Sequence, residues 1–241
     1  MINSTSILEV NLRNLKYNYR SFKQLTKAEI AVTIKADAYG IGSIQVFKTL
    51  KNNGCNHFFV ATLKEALEIR EKFKKGSIYI LNGIEKNRTD IFKRNNIIPI
   101  LNSIDEIKIF KRKNIKFGIH IDTGINRLGL ENTKLIKKLS TNKNLVILLS
   151  HLASADEKNN AYNNFQNKQF QKIKSIFNNK KIIFSLANSM GLVLGNKYHH
   201  DLVRPGISLY GGHHDNAKLK KLIKPIVKLK AQVLQIKKIS K

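Results

Sequence analysis

Eight short apolar runs, interleaved with amphipathic stretches, limit most strongly what this chain can fold into. They cover residues 30–35, 58–61, 78–81, 97–101, 117–122, 146–150, 182–185 and 206–210. Each has the length of a strand, and the spacing between them suits helices. Helical patterns are expected over 64–73, 104–111, 132–139 and 162–177. Leu63, Ala66, Leu67, Ile69 and Phe73 fall on one helix face, as do Leu12, Leu15, Tyr19, Phe22 and Leu25 before the first strand. Strands that alternate with helices specify parallel βαβ units. Eight of them make the count of a TIM (β/α)8 barrel, an α/β fold, although only a weak helical pattern follows the eighth run. The 241 residues, 42% of them hydrophobic, suffice for such a core.

The end of the chain follows a different rule. Residues 226–239 alternate apolar and polar side chains imperfectly, as one or two strands with a single buried face do. Such a face needs a partner, and the run 7–10 can supply one. The expected division is a barrel domain over 7–222 and the truncated start of a C-terminal β-domain over 223–241.

Net charge is +28, carried by 36 lysines and 8 arginines against 16 acidic residues. The lysines are spread over every helix rather than clustered, and runs such as Lys137–Lys138, Lys180–Lys181 and Lys220–Lys221 read as solvated faces. Nucleic-acid sites favour arginine interleaved with aromatics, so no specific nucleic-acid partner is expected, although the field attracts anions, phosphates included. No run of about 18 apolar residues exists, so no membrane span is expected. The first residues, Met1-Ile-Asn-Ser-Thr-Ser, lack the basic and apolar regions of a signal peptide. The single cysteine, Cys55, excludes an internal disulfide and reads as a small packed residue. A cytoplasmic location and no metal site are expected.

The segment Ala31-Val-Thr-Ile-Lys-Ala-Asp-Ala-Tyr-Gly-Ile-Gly42 sets Lys35 where an apolar run breaks into a glycine-bearing turn. A lysine at a strand end facing a loop-built cavity has the geometry of an imine-forming amine. Asp122-Thr-Gly-Ile-Asn-Arg-Leu-Gly129, His151-Leu-Ala-Ser-Ala-Asp156, Ala187-Asn-Ser-Met-Gly191 and Val203-Arg-Pro-Gly-Ile-Ser-Leu-Tyr-Gly211 follow in order. In the barrel reading Lys35, Asp122, His151, Asn188 and Arg204 all fall at strand C-terminal ends, the face that carries the chemistry of this fold.

Taken together, these five motifs resemble the alanine racemases, which use pyridoxal 5'-phosphate (PLP). The resemblance runs from about residue 7 to the last residue. It implies interconversion of L- and D-alanine for peptidoglycan precursor supply, by a homodimer in the intact family. By the same resemblance Lys35 is the cofactor-bound lysine and one of two bases at the substrate α-carbon. Tyr39 donates to the cofactor phosphate; Ser189, Gly206 and Ile207 form its cradle, with Asn188 beside them. Arg204 faces the pyridine nitrogen, His151 packs on the ring and bonds to Arg204, and Arg127 holds the substrate near the phenolic oxygen. Guanidinium only donates, so Arg204 requires a ring nitrogen without a proton. For Asn188, capping of the following helix is an equal alternative.

Two positions depart from the family pattern. Many members carry a lysine, often carbamylated, two residues before the Asp-Thr-Gly motif, where it orients the arginine matched by Arg127. Here His120 stands there, and a histidine supplies no such anion. The family's second base is a tyrosine from the β-domain of the other subunit, and neither Tyr17 nor Tyr210 matches its motif. This chain is therefore expected to bind PLP yet racemise poorly unless another polypeptide supplies that base. The alternatives are a non-catalytic PLP-binding homeostasis barrel, which would lack the outgoing strands at 226–239, and a basic RNA-associated protein.

Overall fold

The computed structural model describes residues 5–85, 88–131, 133–177, 182–212 and 216–239. Met1 to Ser4, Asn132 at the expected start of a helix, the Lys180–Lys181 run and the last two residues lie outside the described residues.

The chain runs β1 (Ser6–Val10), α1 (Leu12–Gln24), β2 (Glu29–Thr33), α2 (Lys35–Gly40), α3 (Ser43–Lys51), β3 (His57–Val60), α4 (Leu63–Lys72) and β4 (Ser77–Ile80). It continues through α5 (Thr89–Arg94), β5 (Ile97–Leu101), α6 (Ile104–Phe110), β6 (Phe117–His120), α7 (Thr133–Leu139), β7 (Leu145–Leu149) and α8 (Ala161–Lys174). Then come β8 (Ile183–Ser185), α9 (Ser189–Leu194), β9 (Leu202–Val203), α10 (Ala217–Leu222) and β10 (Val227–Ala231). Strands β2 to β9 form one parallel sheet in the order β8-β7-β6-β5-β4-β3-β2-β9. Its two ends meet: Asp201 N donates to Phe184 O at 3.0 Å and Arg204 N to Ala187 O at 2.9 Å. The sheet is thus the barrel expected from the eight apolar runs.

The two-residue period of the strands sorts their side chains. Ala31, Phe59, Tyr79, Ile98, Ile100, Ile147, Leu149 and Leu202 form one buried cluster inside the barrel. Val32, Phe58, Val60, Ile78 and Ile80, their neighbours in sequence, join the larger cluster under the helices. Gly118 belongs to the inner set, because a Cβ there would lie 2.5 Å from both Ile100 and Ile147. Two residues on, His120 therefore also points inward, at the mouth of the barrel.

Two expectations need correction. Residues 206–210 are not the eighth strand; Ile207–Tyr210 is a 3-10 turn, and Leu202–Val203 is the strand that pairs with β2. Pro205 has no N–H to extend that ladder, and Gly206 (φ −125°, ψ −96°) bends the chain away. Residues 226–239 yield a single strand, β10, antiparallel to β1. The ladder ends where Gln232 N meets Thr5 O, and nothing among the described residues pairs with 233–239. Nor is the alternating face buried: every residue of β10 is exposed. Among the described residues no helix is long and apolar enough to cross a membrane.

Candidate active site

A cavity of about 630 Å³ opens at the C-terminal ends of the barrel strands, within the size range of small-molecule sites. All nine residues singled out from the sequence line it: Lys35, Tyr39, Arg127, His151, Asn188, Ser189, Arg204, Gly206 and Ile207. They come from five different strand–loop junctions, so only the closed barrel brings them together.

Lys35 leaves β2 into an unusual backbone. Ala36, Asp37, Ala38 and Tyr39 all sit in the left-handed region, with φ between 50° and 59°. Each non-glycine residue there costs about 1–2 kcal/mol. Two carboxylates hold the turn in place. Asp37 Oδ1 accepts from Ser43 N at 2.7 Å, and Glu65 Oε1 accepts from Ala36 N at 2.7 Å. Glu65 also closes the capping box of α4 with Thr62, and its Oε2 accepts from Ala61 N at 2.7 Å. One side chain thus fixes both the start of α4 and the residue after Lys35. Lys35 itself is partly buried and faces the cavity.

Opposite lies the turn that carries Ser189 and Gly206. Ser189 Oγ accepts from Gly206 N at 2.9 Å and Ser208 N at 3.3 Å, which leaves its hydroxyl proton free. The Tyr39 hydroxyl closes on the same turn: a Cβ at Gly206 would stand 2.4 Å from it, so any other residue there would push the Tyr39 phenol away. The Tyr39 ring leans on Tyr210, centroids 5.0 Å apart, and Tyr210 is pinned by its hydroxyl on Thr33 O at 2.7 Å. The free hydroxyl proton of Ser189 and the Tyr39 phenol, converging on a glycine, suit a phosphate.

Arg204 is buried, only 7% exposed. Its guanidinium donates to Ser185 Oγ, Ser150 O and Leu186 O and lies over the Phe59 ring. All three acceptors are neutral, and no carboxylate pairs with Arg204 among the described residues. Burial pulls its pKa down to about 9, which still leaves a cation at neutral pH. A buried charge with two of its five donors unassigned is costly without a further acceptor, and the cavity is where one can bind.

The expected bond between His151 and Arg204 does not form. His151 Nε2 instead meets Asn188 Nδ2 at 3.4 Å, while Arg204 turns to the Ser150 carbonyl next to it. The capping reading of Asn188 is met, its Oδ1 accepting from Gly191 N at 2.8 Å at the start of α9, and its amide nitrogen faces His151. Burial and the nearby Arg204, Arg127, His120 and Lys35 push the His151 pKa down to about 3, so the ring is neutral. Behind it, buried Gln166 from α8 donates to His151 O at 3.0 Å and Thr123 Oγ1 at 3.2 Å, and accepts from Ala153 N at 2.8 Å. Gln166, Glu65 and Asn102, whose Oδ1 meets Nδ1 of the cavity residue His120 at 3.1 Å, are site-supporting residues that motif reading missed. Only Glu65 had a local signal, the Thr62-x-x-Glu65 capping box.

Arg127 sits on the loop after β6. That loop folds back on its own strand, with Leu130 N donating to His120 O at 2.9 Å and Asp122 N to Leu130 O at 3.1 Å. Gly129, at φ 117°, allows the fold-back, since a Cβ there would lie 2.8 Å from Asp122 N. Asp122 Oδ1 caps the turn by accepting from Gly124 N at 2.8 Å and Asn126 N at 3.2 Å. The cavity therefore carries three cations, Lys35, Arg127 and Arg204, against one acid, Asp156. It suits a polyanionic ligand.

Comparison with known proteins agrees with this geometry. The family model "Alanine racemase, N-terminal domain" matches residues 10–214. Curated relatives named alanine racemase include one from Rhizobium meliloti (strain 1021), 34% identical over 98% of this chain and 64% of its own length. Another, from Rickettsia canadensis (strain McKiel), is 36% identical over 98% of this chain and 68% of its own. The chain thus spans about two thirds of the length of these relatives. Among solved structures, alanine racemase from Bartonella henselae with covalently bound pyridoxal phosphate superimposes with a TM-score of 0.86. It is 33% identical over 97% of this chain and 68% of that one.

Proposed function

This chain belongs to the alanine racemase family through that family's N-terminal domain, and on that premise we propose that its cavity binds pyridoxal phosphate and racemises alanine. The observation that carries the proposal is Arg204, a buried cation whose named partners are all neutral. A pyridine nitrogen without a proton is the acceptor it lacks. The turn at Gly206, closed by Tyr39 and Ser189, accounts for the phosphate. Lys35 would anchor the aldehyde, and Arg127 would hold the substrate carboxylate. When bound, this cofactor acidifies the α-hydrogen of an amino acid.

The chain's own residues then divide the work. Lys35 Nζ takes the proton from the substrate Cα, or returns it, on the face that Lys35 occupies. Arg204, charged and able only to donate, would face the ring nitrogen and keep it unprotonated, which would weaken the pull on the carbon electrons. That restraint favours return of the proton over side reactions. Neutral His151 and Asn188 line the site without adding charge. The proton carrier for the opposite face is not among the nine residues. The pairing of β1 with β10 supports the reading that a second, β-rich unit starts at residue 223. A homodimer, a cytoplasmic location and supply of D-alanine for cell-wall precursors complete the proposal.

Hydrogen exchange at the substrate carbon tests it. In deuterated water with pyridoxal phosphate, the chain should exchange the Cα hydrogen of one alanine enantiomer much faster than that of the other. Lys35→Ala should abolish the exchange. Equal exchange of both enantiomers by the chain alone would show that a second base is present after all. No exchange despite bound pyridoxal phosphate would favour the non-catalytic alternative.

A further inference from the structure

The sequence holds two Asn-Gly pairs, Asn53-Gly54 and Asn82-Gly83, and the fold treats them oppositely. Before a glycine, the backbone nitrogen that follows an asparagine reaches the side-chain amide most easily, because no Cβ shields it. Asn53 is held at both ends of its amide: Nδ2 donates to Thr49 O at 2.7 Å, and Oδ1 accepts from Arg20 Nη2 at 3.1 Å. The Gly54 nitrogen is also engaged, donating to Lys51 O at 3.1 Å. Asn82 is the reverse case. It is exposed on the cavity wall with Ala61 and Leu81, and its side chain makes no hydrogen bond among the described residues. The nitrogens on either side of Gly83 both have acceptors: Asn82 N donates to Ala61 O at 3.1 Å and Ile84 N to Glu106 Oε1 at 3.2 Å. The Gly83 nitrogen between them has none among the described residues.

We propose that Asn82 is a self-modification site, whose side-chain amide converts to a carboxylate in the folded chain without a partner enzyme. The Gly83 nitrogen attacks Asn82 Cγ and forms a C–N bond, and the side-chain nitrogen leaves as ammonia with the Gly83 proton. Water then opens the resulting cyclic imide at either carbonyl. One opening gives aspartate; the other gives isoaspartate, whose backbone runs through the β carbon. Water is the only co-reactant. The fold also keeps the pair in place: Gly83 is left-handed, at φ 80°, and a Cβ there would collide with the Glu106 carboxylate, so a shielding residue does not fit. The product alters the cavity. Its wall carries Lys35, Arg127 and Arg204 against Asp156, and a second carboxylate at position 82 weakens the attraction for a polyanion. Anion binding therefore declines as the chain ages. This inference needs only the charge of the cavity, not the reaction assigned to it.

Ageing of the full chain at mildly alkaline pH, followed by peptide mass mapping, is the test. Asn82 should show the mass shift of an amide-to-acid exchange and split into aspartyl and isoaspartyl peptides. Asn53, in the same digest, should stay intact. In urea, where neither pair is held, the two should convert at similar rates. Asn82→Gln should abolish the change at position 82. Survival of Asn82 in the folded chain, or equal conversion of the two pairs there, overturns the proposal. The charge consequence has its own readout. Freshly prepared Asn82→Asp should bind inorganic phosphate severalfold more weakly than the wild type, and Asn82→Gln should bind it equally well. Undiminished phosphate binding by Asn82→Asp would overturn that consequence.

Discussion

Arg204 is a charge placed where a folded chain gains least from it. Replacement by methionine removes the cost of desolvating a guanidinium but takes the donor from Ser150 O and Leu186 O, while Ser185 Oγ keeps its bond to Leu202 O, and the two effects oppose each other. Arg204→Met should therefore change the unfolding free energy by only about 1 kcal/mol despite full burial, while pyridoxal phosphate affinity falls at least about tenfold. Urea titration and a binding isotherm measure the two; a loss of several kcal/mol would show that Arg204 is a structural residue. The histidines give a second prediction. His120, His151 and His200 have pKa values lowered to about 4, 3 and 4, chiefly by burial. The groups facing them are Arg204, Arg127, Asp122 and Lys35 for the first two, and Lys174, Asp201 and His199 for the third. The unfolded chain binds these protons near pH 6.5 while the native state refuses them. Stability is therefore present above about pH 6.5 and falls as pH drops toward 4. The limiting slope is about 1.4 kcal/mol per pH unit for each histidine. Urea midpoints between pH 7 and 4.5 should show the decline, and His120→Gln should make it shallower.

At the scale of elements, the turn after Lys35 is the strained piece. Ala36 is exposed and left-handed, so Ala36→Gly should relieve about 1–2 kcal/mol and lose part of it to unfolded-state entropy. A small gain in stability is expected. Glu65→Ala should cost about 1–3 kcal/mol, because it releases Ala36 N, Ala61 N and the α4 cap together. It should also slow Lys35-dependent exchange; unchanged exchange would mean that the turn holds itself. These elements show what a sequence reveals and what it hides. Short apolar runs located seven barrel strands to within a residue or two, because such a run is local information. The eighth strand was displaced, since Leu202–Val203 is too short to carry a pattern and the apolar 206–210 run mimics one. Motif spacing gathered nine cavity residues. It could not show the left-handed turn, which Ala and Tyr do not announce, nor the His151–Asn188 contact, nor the His120–Asn102 contact. Each of those depends on neighbours far away in sequence.

For the whole molecule, charge is the dominant global property. A net +28 on 241 residues repels itself, and salt screens that repulsion over about 8–10 Å. Melting temperature should rise from low salt to 150 mM salt, and inorganic phosphate should raise it further than chloride at equal ionic strength. Equal effects of the two anions would mean that the cavity has no special use for phosphate. The same excess of lysine makes the central claim easy to contradict. With 36 lysines available, an aldehyde without a dedicated site would scatter over the surface. Borohydride reduction of the full chain with stoichiometric pyridoxal phosphate, followed by peptide mass mapping, separates the two cases. One phosphopyridoxyl group on Lys35, lost or scattered in Arg204→Met, is the predicted result; label spread across surface lysines with Lys35 unmodified would contradict it.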